Sequence, residues 1–199
     1  VTGQHASTGD GEDDGLWARS EVLPNGSYGV AITYGKDWAC VLTTSGAIAY
    51  AVACCDEATR IEYDAAVHRL MTNAGVPENE VVALIVDHLR PRRPPNTATA
   101  PLRFDPILGL RYGPHLDMYL QDRHVGGVTP HDLRSHGNDV LSVLSVTTLD
   151  SDLLAALTDA VGMTEPYARA LIGSINNFWP RATTGNPQEV AQFGDDTES

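Results

Sequence analysis

A chain of 199 residues fits one domain with tails, and an apolar share of 42% is enough for a real core. The formal charge of -13 is concentrated at the ends: residues 1–14 carry Asp10, Glu12, Asp13 and Asp14, and residues 182–199 carry Glu189, Asp195, Asp196 and Glu198, with no Lys or Arg in either stretch. Between them, 18 acidic groups stand against 13 basic ones, an ordinary balance, so the acidity belongs mostly to the tails, which disfavour nonspecific nucleic-acid binding.

Residues 1–15 and 182–199 read as disordered acidic tails, leaving 16–181 as a single globular domain. Three cysteines, Cys40, Cys54 and Cys55, are odd in number and lie in apolar runs, so they read as buried free thiols in a reducing compartment. One lysine, Lys36, against twelve arginines is the mark of a GC-rich, bacterial coding bias. No segment reaches the ~18 unbroken apolar residues of a membrane span. The polar, acidic start is unlike a secretory signal, and the chain reads as soluble and cytoplasmic.

Tyr28–Tyr34 alternates large and small residues as a strand does, Trp38–Thr43 repeats the pattern after Gly35-Lys36-Asp37, and Ala47–Cys55 follows as a third run. Together they predict an antiparallel meander with an alanine-lined face. A helix opening at Asp56-Glu57 and closing at Gly75 covers that face. Val81–Val86, six apolar residues, predicts a buried parallel strand. Residues 27–88 thus form the core. Residues 89–136, rich in Pro, Gly, Arg and His, predict loops and a hairpin, while Asp139–Val146 suits strand or helix. Leu153–Val161 and Pro166–Ile175 predict a helical hairpin over 150–176, with Asp152 and Thr164 as caps.

The class is therefore α/β, with α+β open. The β-β-β-α-β order over roughly residues 27–88 resembles the opening half of the ribonuclease H-like and actin-like ATPase folds; a longin-type sheet also explains a meander followed by a helix. The ribonuclease H-like resemblance implies carboxylates on the first strand, the helix and the end of the fourth strand. Glu62 and Asp87 meet the last two, but Val30, Ala31, Ile32 and Thr33 leave the first strand without an acid, so a two-metal clamp is incomplete. The actin-like phosphate loop, with its Asp and glycines, is likewise missing from Thr33–Trp38. The resemblance implies a degenerate scaffold.

Four of seven histidines fall between His115 and His136. His124, His131, His136 and Asp132 are the candidate ligands for zinc or manganese, the sole cofactors considered, and Gly126-Gly127 with Pro130 predicts a loop that gathers them. Asp87 and His88 are the candidate catalytic pair for a metal-dependent hydrolase of phosphate esters. Arg90, Arg92 and Arg93 are candidates for binding a phosphate or a partner, guanidinium forks being suited to both phosphate and carboxylate. Phe178 and Trp179 offer an aromatic partner anchor. Residues 157–171 resemble a helix-turn-helix, but Glu165 and Pro166 open the second helix where a DNA reader needs polar or basic groups. The leading expectation is a non-catalytic interaction or regulatory protein with a protein partner or a second copy of itself, and without nucleic acid or membrane.

Overall fold

The computed structural model describes residues 15–34, 38–99, 101–109, 113–120 and 122–178; the expectations for the acidic tails lie outside them. The fold is mixed helix and strand, with two small antiparallel sheets. Its contacts group into two compact units. The described residues within 15–43 and 142–178 make the first unit and those within 44–141 the second.

In the first unit, β1 (Leu16–Val22), β2 (Tyr28–Tyr34) and β3 (Trp38–Leu42) form a meander in sequence order. Pro24-Asn25-Gly26 turns the first hairpin, with Gly26 at φ 80° and the Asn25 carboxamide accepting from the Ser27 amide. Val30, Ala31, Ile32 and Tyr34 on the central strand are buried. A Cβ on Gly29 would stand 2.6 Å from the Leu42 carbonyl oxygen, so only glycine allows that approach. Residues 142–155 of α3 (Pro130–Ala155) and α4 (Glu165–Phe178) complete the unit. Asp150 is buried there, accepting from Ser20 Oγ at 3.3 Å and from the Asn176 carboxamide at 3.1 Å.

In the second unit, α1 (Thr44–Asn73) is a 30-residue helix. The predicted third strand, Ala47–Cys55, is its first half. Alternating alanine fits strand and helix alike, but alanine is the strongest helix former. The residues that bury include Ala47, Tyr50, Ala51, Cys54, Ala58 and Ile61, at helical spacing, so these alanines pack from a helix rather than line a sheet. Gly75 ends this helix as expected, at φ 89°: its amide bonds to Thr72 and the Val76 amide to Met71. The predicted strand at Val81–Val86 is also helical, as α2 (Glu78–Ala83) and a π-helical turn over Leu84–Leu89. Glu78 and Glu80 favour the helix start, and Val81 and Ile85 bury four residues apart. With no parallel fourth strand among the described residues, the ribonuclease H-like and actin-like order fails.

The segment expected as loops and a hairpin is mostly a second meander, β4 (Leu102–Gly109), β5 (Gly113–Leu120) and β6 (Arg123–Val128). Its alternation divides the faces. Leu102, Phe104, Leu116, Met118 and Leu120 are buried, and α1 packs on β4 and β5; Asp105, His115, Asp117 and Tyr119 line the other face. α3 opens at Pro130, about twenty residues before the predicted helical hairpin. It runs through Asp139–Val146 and leaves Asp152 exposed inside a helix rather than capping one. The turn after it, with Gly162 at φ 75°, and a second helix from Glu165 do match the hairpin expectation. Pro130–Ala160 is one helical run of 31 residues, long and apolar enough by length and composition to cross a membrane. The sequence count missed it because Ser142, Ser145, Thr147 and Thr148, with Asp150 and Asp152, interrupt the apolar residues.

Candidate anion-binding cleft

After the π-helical turn, Arg90–Arg92 forms a short 3₁₀ turn around Pro91. In 3₁₀ geometry residues three apart eclipse one another. Arg90 and Arg93 therefore converge while Arg92 remains exposed. What they converge on is Asp64 of α1, whose side chain is 0% exposed. Arg90 Nε donates to Asp64 Oδ2 at 2.9 Å and Arg93 Nη2 pairs with Oδ1; the Arg93 guanidinium also lies 5.8 Å from the Tyr63 ring centre. A buried carboxylate is tolerated only when paired and hydrogen-bonded, and here both oxygens are taken. One carboxylate cannot neutralise two guanidiniums, so the cluster keeps a surplus positive charge. Arg90 Nη2 is buried without a hydrogen-bond partner.

These arginines wall a cleft of about 490 Å³, with Arg60, Pro94, Pro95 and Phe104 among its other lining residues. Arg60 is answered by Glu57 at 3.0 Å. Arg103 lines the cleft too, but its guanidinium is committed elsewhere, 4.6 Å from the Tyr119 ring centre and paired with Asp105 at 3.2 Å and Asp122 at 3.5 Å. Asn96 donates its amide to the Ala53 carbonyl and accepts at Oδ1 from the Ala98 amide, and Thr99 donates to the Leu102 carbonyl.

The histidine segment does not assemble as expected. Gly126-Gly127 lies within β6 instead of a reversing loop, and the rest begins a helix. Thr129 caps that helix, its hydroxyl donating to Asp132 Oδ2 at 2.7 Å and accepting from the Asp132 amide at 3.1 Å. Asp132 is thereby spent on capping. His131 is exposed in the first turn, near the Glu62–Arg134 pair. His136 is buried, 3.2 Å from the Tyr50 hydroxyl, with Nδ1 unpartnered, and burial pushes its pKa down to about 4. His124 goes elsewhere again. A β-bulge at Val125 sets His124 opposite Tyr119, where its Nε2 lies 3.6 Å from Asp117 Oδ1. His115 approaches the same oxygen at 3.8 Å. Among the described residues no three His, Cys, Asp or Glu groups are placed to hold a metal ion. Asp87 and His88, the candidate catalytic pair, are exposed on the π-helical turn.

The cysteines are free; Cys54 is buried and pushed up to about 12 by desolvation, while Cys40 and Cys55 are half-buried. Phe178 ends α4 and Trp179 lies outside the described residues, so the aromatic anchor stays an expectation. In the helix-turn-helix candidate, Arg169 is committed to Glu165 and the Gly26 carbonyl and stacks on Tyr28, which leaves the second helix without a free cation among the described residues.

Sequence reasoning missed Asp64, Arg60 and Glu57. The signal was present: Glu57 and Asp64 fall on the apolar stripe of α1 with Cys54, Ala58 and Ile61, and an acid on a buried stripe demands a cation. Comparison with family models, with curated proteins and with solved structures finds no match to this chain.

Proposed function

We propose that this chain is a non-catalytic binding protein, acting in interaction or regulation, whose second unit holds an anionic ligand in the arginine cleft. The observation that supports it is the two-to-one pairing of Arg90 and Arg93 with Asp64 at the wall of the cleft. Such a pair presents rigid guanidinium forks, whose rotamers are set before any ligand arrives. Binding rather than turnover is favoured because Glu57, the acid lining the cleft, is tied to Arg60, and the candidate catalytic pair Asp87–His88 does not line it.

The test is calorimetric titration of the full chain with inorganic phosphate and with acetate. Arg93→Gln leaves a balanced Arg90–Asp64 pair, so the fold is kept while the surplus charge is lost. Saturable binding of either anion by the parent chain, at least tenfold weaker in Arg93→Gln, supports the reading. Binding that is absent from the parent, or the same in both, removes it.

A further inference from the structure

The charge and walls of the cleft narrow the ligand class. Resting on the reading above, we infer that the cleft takes an apolar monocarboxylate, an aryl or branched alkyl acid, rather than a phosphate ester. Three observations converge on this.

The first is charge. Arg60 is matched by Glu57, and Asp64 cancels one of its two arginines, so the surplus beside the cleft is a single positive charge. A carboxylate carries one negative charge, whereas a phosphate monoester carries about 1.5 to 2 near neutral pH. A carboxylate neutralises the cluster; a phosphate leaves negative charge against a half-buried wall, where desolvation penalises it. Guanidinium forks also bind planar carboxylates in a bidentate manner.

The second is wall chemistry. Pro94, Pro95, Pro101, Pro106, Leu102 and Phe104 line the space, and none carries a polar side-chain group. At about 490 Å³ the cleft falls within the roughly 300–1,000 Å³ of small-molecule sites.

The third is the state of the remaining polar groups. The Asn96 and Thr99 side chains already serve the fold through Ala53, Ala98 and Leu102, which leaves the exposed Thr97 as the remaining lining hydroxyl. The hydroxyls of a sugar, or the edge of a base, would therefore lose hydrogen bonds to water with few replacements, at about 1–3 kcal/mol for each group left unpaired. An apolar body meets no such cost. Its carboxylate would face the Arg90–Arg93 pair, and its hydrocarbon would lie on the prolines and Phe104.

The experiment titrates the full chain with phenylacetate, acetate and inorganic phosphate at constant ionic strength. The expected order is phenylacetate at least tenfold tighter than acetate, with phosphate no tighter than acetate. A chain carrying Pro94→Ser and Pro95→Ser should show a reduced phenylacetate-to-acetate ratio. Phosphate binding tighter than phenylacetate, and lost in Arg93→Gln, overturns the ligand class while leaving the anion cleft standing. A phenylacetate preference that survives Arg93→Gln overturns it too, since the acid would then be held by apolar surface alone. Failure of all three anions to bind removes the cleft reading itself.

Discussion

The two sheets are built on the same plan and put to different ends. Both are three-stranded antiparallel meanders in sequence order. In the first, the central strand buries consecutive residues, Val30, Ala31 and Ile32. In the second, the central strand alternates: Leu116, Met118 and Leu120 bury, while His115, Asp117 and Tyr119 stay half-exposed. The charged side chains of the first sheet, Arg19 and Glu21, stand on the edge strand β1 and pair with each other at 3.1 Å. A sheet covered on one face, with a helix bringing its own acids and arginines, can hold ionisable groups. The comparison teaches that the central strand of the first sheet carries no charged side chain, whereas that of the second offers a half-exposed face on which His115 and Asp117 can rest.

The largest effect expected from breaking that arrangement is at Asp64. Asp64→Ala leaves Arg90 and Arg93 without their shared carboxylate. Removing one partner of a buried ion cluster costs about 3–5 kcal/mol. Urea unfolding should show this loss, whereas Asp117→Asn on the half-exposed sheet face should change stability by less than about 1 kcal/mol. Equal losses at the two sites would mean that the buried cluster is no more structural than surface charge.

His136 gives the next effect, and its sign follows from burial. Its folded pKa, about 4, lies below the unfolded value near 6.5. The unfolded chain therefore binds a proton that the folded chain refuses in the window between them. The contribution is fully present above about pH 6.5 and is lost as pH falls towards 4, to a limit of roughly 3 kcal/mol. His136→Phe should flatten that part of the urea-stability profile between pH 7 and 4.5. An unchanged acid slope in the variant would place the titration on other groups.

How much of this was legible depended on what each residue could distinguish. The strands at Tyr28–Tyr34 and Trp38–Leu42 were readable because alternation with β-branched and aromatic residues has no good helical alternative. Ala47–Cys55 was not, because an Ala-X-Ala-X run satisfies period two and helix propensity together, and the long-range burial of Tyr50 and Cys54 decides. Leu16–Val22 was legible but overlooked: a short alternating run followed by Pro-Asn-Gly is a hairpin signal. The Arg90–Arg93 cluster could be read as basic, but not its division. Which arginines converge depends on a 3₁₀ turn, and their shared partner lies 26 to 29 residues earlier. The histidines were grouped by sequence proximity, and a strand, a bulge and a helix start then sent them to different faces.

The smallest effects come from two helical glycines that should respond in opposite directions. A Cβ on Gly137 of α3 would stand 2.9 Å from the Ala51 carbonyl oxygen and 3.2 Å from Cys55 Sγ. The nearer atom is backbone, so α1 and α3 must separate, and Gly137→Ala should cost about 1–3 kcal/mol. Gly173 of α4 has nothing within 4 Å of the same added atom. Its backbone is already helical, so Gly173→Ala should stabilise by roughly 0.5–1 kcal/mol through lower unfolded-state entropy and better helix propensity. Thermal unfolding of the two variants beside the parent measures both. A destabilising Gly173→Ala would mean that this face of α4 is covered in solution, and that its open surroundings belong to the isolated chain alone.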